Sequence, residues 1–189
     1  MSNRKPMILI LAGPNGSGKS TITQYFEKVG TYTNADDVVA AMGISNEEAA
    51  KLVDQKRYQS IEAKEDFTFE SVLSSHFKLD ILEKAKKEGY FIKCIFVLTV
   101  DPLINVARVE TRVASGGHDV ERTKIIERYY KSLNNIKRLM EFCDILHVYD
   151  NTMIPIRIIR KHKEDISIFP NELWSEDKIL ELLEESSEK

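Results

Sequence analysis

Residues 7–20 read Met-Ile-Leu-Ile-Leu-Ala-Gly-Pro-Asn-Gly-Ser-Gly-Lys-Ser, and no other stretch of the chain constrains its fold as tightly. The apolar run over 7–12 has the length of a buried strand and is far too short to span a membrane. It empties into Gly13, Pro14, Asn15, Gly16, Ser17, Gly18, Lys19 and Ser20, which match G-x-x-x-x-G-K-S/T at every fixed position. Glycines there let the backbone turn its N–H groups inward around a phosphate. Lys19 reaches the terminal phosphates as a point charge, and Ser20 offers a hydroxyl to Mg²⁺. With Thr21, the following residues through Phe26 open a helix whose N-terminal dipole faces the same anion. The stretch predicts a nucleotide phosphate site between a strand and a helix.

At 189 residues the chain is expected to form a single domain (1–189) with a real core. Its 27 Lys and Arg against 30 Asp and Glu leave a formal net charge of −3, which argues against a broad nucleic-acid surface while leaving room for a local basic groove. Cys94 and Cys143 sit in apolar surroundings without metal-ligand spacing and are expected to be buried free thiols. The first residues lack a signal-peptide core, and no apolar run approaches spanning length, so a cytoplasmic protein with no membrane partner is expected, and from the charge balance no nucleic-acid partner either.

Periodicity predicts strands at 7–12, 67–69, 90–100 and 145–149. A short β-prone piece at 31–37 ends in an acidic turn. Amphipathic helices are predicted over 46–64, with Asn46 as N-cap, over the Phe77–Ile81–Leu82–Ala85 pattern ending at Gly89, and from Asp101-Pro102. Residues 115–118 form a loop, and one long helix follows from about Val120. Beyond Asn151 come two extended segments (154–160 and 166–169) and a terminal helix from about Asn171, together a C-terminal extension of 152–189. Strands alternating with helices imply an α/β fold: a parallel sheet with helices on both faces, binding its ligands beyond the carboxyl ends of the strands. That rule selects Asp36, Glu70, Asp101 and Asp150 as site candidates.

Asp36 lies where a second substrate meets the terminal phosphate, and a carboxylate there can take a proton from an attacking hydroxyl. A turn or N-cap role is the alternative for Asp36 or its neighbour Asp37. Glu70 ends an apolar strand that has no need of charge, so it can hold a metal-bound water or a substrate hydroxyl. Arg108 and Arg112 are four apart on one helix face and can clamp a transferring phosphoryl group or stack on the nucleotide base, a solvated basic face being the alternative. Gly116 and Gly117 between helices suit a mobile lid over 115–119, with His118 as a phosphate contact on closure and Arg128 as a further phosphate candidate. Asp150 and Asn151 can meet the nucleotide base or cap a turn.

Taken together these stretches resemble the zeta-toxin family of kinases, particularly its smaller bacterial members. The resemblance rests on the motif at 13–20, Asn34-Ala35-Asp36, Phe67-Thr68-Phe69-Glu70-Ser71 and Arg108-Val109-Glu110-Thr111-Arg112-Val113. It continues through Gly116-Gly117-His118-Asp119-Val120, Ile126-Glu127-Arg128-Tyr129, Ser132-Leu133-Asn134-Asn135 and Val148-Tyr149-Asp150-Asn151, so it covers about residues 7–152. It implies a P-loop NTPase fold of three α/β/α layers, related to adenylate kinase and chloramphenicol phosphotransferase. The implied core has five parallel strands in the order 2-3-1-4-5, a small helical lid, and the C-terminal extended segments added at an edge. It also implies transfer of the γ-phosphate of ATP to a hydroxyl of a small molecule such as UDP-N-acetylglucosamine, and a small helical antitoxin as partner. Within it Asp36 is the base, Lys19 the phosphate lysine, Ser20 a Mg²⁺ ligand, Glu70 a residue of the substrate pocket, and Arg108 or Arg112 a ligand of the nucleotide phosphates. The chain is much shorter than the large toxins, and Glu121 stands where many relatives carry proline.

Two readings compete with a small-molecule kinase. One is a nucleotide-driven switch or ABC-type module, suggested by Ser115-Gly116-Gly117; the charged helical stretch over 121–128 argues against it, since an apolar strand should follow. The other is a toxin–antitoxin interaction protein whose activity is secondary or lost. Within the kinase reading, an antibiotic or nucleoside-like alcohol is a further acceptor class.

Overall fold

The computed structural model describes residues 4–117 and 119–184. Strand β1 (Met7–Ala12) leads through the phosphate loop into α1 (Lys19–Thr23), which is short: residues 24–26 continue as turns rather than helix. Then come β2 (Thr31–Thr33), α2 (Ala35–Met42), α3 (Asn46–Glu62), β3 (Phe67–Ser71), α4 (His76–Lys87), β4 (Phe91–Leu98) and α5 (Pro102–Ala114). The chain continues with α6 (Arg122–Asn134), α7 (Ile136–Phe142), β5 (Ile145–Asp150), β6 (Ile156–His162), β7 (Asp165–Ile168) and α8 (Glu176–Glu181). One seven-stranded sheet runs β2-β3-β1-β4-β5-β6-β7; its first five strands are parallel in the expected order, and β6 and β7 join antiparallel at the β5 edge.

β1 and β4 occupy the centre because they can be buried on both faces, Ile8 through Ala12 and Ile92 together with Cys94 through Leu98 being almost wholly inaccessible. One face packs Ile8, Ile10, Phe67, Phe69, Cys94 and Phe96 beneath α4 and α7. Trp174 and Ile179, from beyond Asn151, belong to this same cluster, so the C-terminal segment shares the main core. On the opposite face Ile22 of α1 meets Leu9, Leu11, Ile95 and Val97 in a smaller cluster. Cys94 and Cys143 are both buried free thiols.

Besides the short α1, the structure departs from the expected elements at four further places. The acidic turn after β2 is the first turn of a helix, α2: Asn34 caps it by accepting the Asp36 N–H, and Asp36 and Asp37 lie at its positive end, where acidic residues are favoured. Asn46 is not a cap; Ser45 is, in a capping box with Glu48. The long helix expected from Val120 starts at Arg122 and divides at Asn135, where the chain turns between α6 and α7. Ser132 and Asn135 at that division donate to the carbonyls of Val72 and Leu73 at 2.6 and 2.7 Å, bonds that fasten the β3–α4 loop. The terminal helix starts at Glu176 behind its Ser175 cap, because residues 171–174 form a turn in which Asn171 accepts the N–H groups of Leu173 and Trp174.

Candidate active site

The loop after β1 is shaped by glycines in conformations that side chains rarely adopt. Gly13, Gly16 and Gly18 have φ of 139°, 76° and 81°. A Cβ on Gly13 would lie 1.9 Å from the Val97 carbonyl oxygen, and one on Gly18 would lie 2.2 Å from Asn151 Nδ2, so neither position admits a larger residue. Two side chains distant in sequence brace the loop. Asn105 of α5 donates to the Asn15 carbonyl at 2.7 Å and is itself bonded by the Thr99 hydroxyl; Asn151, after β5, donates to the Ser17 carbonyl at 2.9 Å. The Ser17 hydroxyl and the Asn15 side-chain oxygen are buried without a partner, polar groups of the kind a ligand satisfies. Lys19 Nζ donates to the carbonyls of Gly13 and Pro14 at 2.9 and 3.3 Å. Burial lowers its pKa, Glu70 and Asp36 oppose that shift, and Arg112 adds to it.

From this loop a cleft of about 540 Å³ opens at the carboxyl ends of β1, β2 and β3. It brings together Lys19, Asp36, Glu70, Arg112 and Arg128, which come from five separate elements or their ends. Asp36 is exposed in the second position of α2, whereas Asp37 accepts from Asn34 Nδ2 at 3.4 Å and does not line the cleft. Glu70 accepts from the Tyr32 hydroxyl at 3.2 Å, and burial together with the Glu70 charge raises the pKa of that phenol.

The expected arginine pair divides. Arg112 lines the cleft; Arg108, one turn earlier, does not, and its guanidinium donates to the carbonyls of Asn151 and Thr152 at 2.9 and 3.0 Å. Asn151 likewise stands beneath the phosphate loop and outside the cleft lining. Asp101 caps α5 through the Leu103 N–H, and buried Asp150 accepts from Thr152, so both acids are occupied by local turns. Ser20 and Thr21 are exposed at the start of α1. Gly116, with φ of 85°, ends α5, and the N–H groups of Gly116 and Gly117 bond back to Val113 and Arg112. Asp119, Val120 and Glu121, just beyond, line the cleft; His118 lies outside the described residues.

Periodicity could not reveal the cleft's second wall. Arg57 of α3, with 2% of its surface exposed, donates to the Thr33 hydroxyl at 2.9 Å, to the Thr33 carbonyl at 3.2 Å and to Asp54 at 2.9 Å, and it lies 4.4 Å over the Phe69 ring. Lys78 of α4 pairs with the same Asp54. Both cations line the cleft, and burial lowers both of their pKa values against the pull of Asp54. The sequence did carry a signal, a charged residue on the apolar side of α3 beside Val53 and Ile61, but helical spacing alone does not say that Arg57 points at β2. Leu73, non-glycine with φ of 52° and buried, marks strain in the adjoining floor loop.

Comparison with known proteins bears on the family and the fold. The sequence model described as Zeta toxin matches residues 31–172, about three quarters of the chain. An uncharacterized protein of Haemophilus influenzae is 26% identical over 127 residues, covering 64% of this chain and 91% of that protein. Among solved structures, a chain of the AvrRxo1-ORF1:AvrRxo1-ORF2 complex with sulphate ions superposes with a TM-score of 0.71 at 14% identity, over 94% of this chain and 64% of that one, so this protein spans under two thirds of its length. A chain of the PezAT chromosomal toxin–antitoxin system of Streptococcus pneumoniae gives a TM-score of 0.63 at 14% identity, over 98% and 90% of the two chains. At such identities these two structures speak for the fold alone. The family match, over three quarters of the chain, carries the assignment, and the strand order and the phosphate loop that precedes the matched residues accord with it: the chain belongs to the Zeta toxin family.

Proposed function

We propose that this protein is an ATP-dependent phosphotransferase that moves the γ-phosphate of ATP to a hydroxyl of a small anionic molecule, with Asp36 as general base. The observation that carries this reading is the convergence of Lys19, Asp36, Glu70, Arg112 and Arg128 on one cleft beside the phosphate loop. The left-handed glycines, the orphaned Ser17 hydroxyl and the free turn of α1 fit a nucleotide's phosphates. A structure of the similar AvrRxo1-ORF1:-ORF2 complex is described as holding ATP, which supports the same ligand here. Mg²⁺ would neutralise the phosphate oxygens during transfer, with the Ser20 hydroxyl as the side chain that holds it.

In this reading Lys19 and the loop N–H groups orient the donor, and Arg112 and Arg128 face the charge that develops on the transferring group. Asp36 takes the acceptor's proton, and Glu70, oriented by Tyr32, holds a neighbouring hydroxyl. Arg57 and Lys78 make the acceptor wall cationic, as a phosphorylated acceptor would require. A UDP-N-acetyl sugar is the acceptor we favour. The AvrRxo1-ORF2 and PezAT names describe two-component systems, which support a small antitoxin-like partner for this chain as well. The ABC-type alternative loses ground because residues 122–134 form a charged helix, α6, where that reading needs an apolar strand.

Coupled assays of ATP consumption over UDP-sugars, nucleosides and aminocyclitol alcohols test the proposal. One acceptor class is expected to stimulate turnover, with a phosphorylated product visible by mass spectrometry. In parallel, Lys19→Ala is expected to weaken Mg·ATP binding at least tenfold in calorimetry, because the other cleft lysines, Lys78 and Lys124, come from elements remote from the phosphate loop. Unchanged binding and turnover in that variant would remove the lysine from the assigned role.

A further inference from the structure

The sheet face that α1 covers at β1 and β4 continues, partly exposed, across β5 and β6, and the register loads it with basic side chains. His147 of β5 stands directly opposite Arg160 of β6, Tyr149 opposite Arg157, and Ile145 opposite His162; Lys93 of β4 stands beside Ile145 on the other flank. A bulge at Val148/Tyr149 lets residues three apart, Arg157 and Arg160, share this face. Arg157, Arg160 and His162 thus form a row along one strand, with steps of about 10 Å and then about 7 Å, and Lys93 and His147 stand alongside.

Among the described residues Lys93, Arg157, Arg160 and His162 form no ion pair. Asp165, opposite His162 at the outer edge, is the acid that the register places on the face. Arg157 Nε and His147 Nδ1 are both buried without a hydrogen-bond partner. Aromatic rings lie among these basic side chains: Tyr149 is 6.3 Å from the His147 ring, Phe26 lies 5.5 Å from Lys93 Nζ, and partly exposed Phe169 lies 5.4 Å from the Arg157 guanidinium. Burial and the four surrounding cations hold the His147 pKa down at about 4, so the ring stays neutral at pH 7.

We infer that this face of β4, β5 and β6 binds single-stranded nucleic acid through its phosphodiester backbone. A row of cations along a strand answers a row of phosphates better than one compact anion does, and the interleaved rings offer stacking faces that bases can use and an acidic peptide cannot. This surface is separate from the cleft: none of its residues lines it. A net charge of −3, from which no nucleic-acid partner is expected for the chain as a whole, says nothing of such a local cluster of basic side chains.

Anisotropy of fluorescein-labelled dT12 and U12 with the full chain tests the inference. Binding is expected, with log K falling against log salt at a slope of about −2, as three phosphates of a single strand neutralised by Lys93, Arg157 and Arg160 require. Arg160→Glu combined with Arg157→Gln is expected to weaken it at least tenfold with an unchanged circular-dichroism melt, while Lys19→Ala leaves it intact. The His162→Glu variant, altered at an exposed position, provides a second reading if the double variant melts early. Equal binding by parent and patch variants, loss in Lys19→Ala, or binding to anionic vesicles but not to either oligonucleotide would each overturn it. Failure of Asp36-dependent phosphotransfer leaves this result untouched, since the two sites share no residue.

Discussion

Replacing Asp36 with asparagine is expected to leave nucleotide binding intact and to lower phosphoryl transfer to the acceptor by about 10²–10⁴-fold. The variant keeps the size and much of the hydrogen-bonding capacity of the side chain but cannot take a proton. The structure makes a selective effect plausible in physical terms. The cap of α2 belongs to Asn34, which accepts the Asp36 N–H through its own side chain, so the helix does not depend on the Asp36 carboxylate. The phosphate loop is braced by Asn105 and Asn151, far from α2 in sequence, so its shape does not depend on Asp36 either. A loss of this size corresponds to about 3–5 kcal/mol of stabilisation present only in the transition state. Single-turnover transfer measured beside ATP binding separates the outcomes. Transfer near the parent rate would exclude Asp36 as base, and a parallel loss of affinity and melting temperature would make it structural.

The second large effect is on stability. Asp54→Ala is expected to destabilise the fold by about 3 kcal/mol, the lower end of the cost of stripping one partner from a buried ion cluster, because the Asp54 side chain retains 24% exposure. In a chain of this size that lowers the melting temperature by roughly 6–12 °C. Without Asp54, Arg57 stays buried against Thr33 and Phe69 with Lys78 nearby and no carboxylate between them. The sign of the pH dependence follows from Lys78 and Arg57. Burial depresses both folded-state pKa values, so in the variant, where Asp54 no longer opposes that shift, unfolding is favoured most where the cations are charged. The deficit should therefore be full at neutral pH and shrink as pH rises through the depressed Lys78 pKa towards its unfolded value. A melt that is equally depressed at pH 7 and pH 10 would show that lost packing, not uncompensated charge, dominates. Acceptor binding should weaken in the same variant if position outweighs charge, because Asp54 is the group that holds both cleft-wall cations in place.

Much of this molecule is legible in its sequence because the signals are local. The phosphate loop needs glycine where φ is positive and a lysine at a fixed offset, and both requirements are met within eight residues. The central strands declare themselves as continuous apolar runs, since β1 and β4 are buried on both sides. Positions at strand ends placed Asp36 and Glu70 beside the loop, where the structure also has them.

What required the tertiary structure is whatever depends on partners far along the chain. Arg108 and Arg112 share a helix face in any sequence reading, yet only one lines the cleft, because the carbonyls that hold Arg108 belong to Asn151 and Thr152, more than forty residues away. The division at Asn135 is invisible to a pattern of apolar residues that continues through it; its cause is the pair of bonds that Ser132 and Asn135 make to the β3–α4 loop. Arg57 reads as one more charged helix residue until packing sets it between Thr33, Asp54 and Phe69. The basic row on β6 could not be read from composition, since it exists only once antiparallel pairing and a bulge turn Arg157, Arg160 and His162 to one side. Local backbone chemistry and hydrophobic period are written residue by residue; the environment of a polar side chain is a property of the neighbours that folding brings to it.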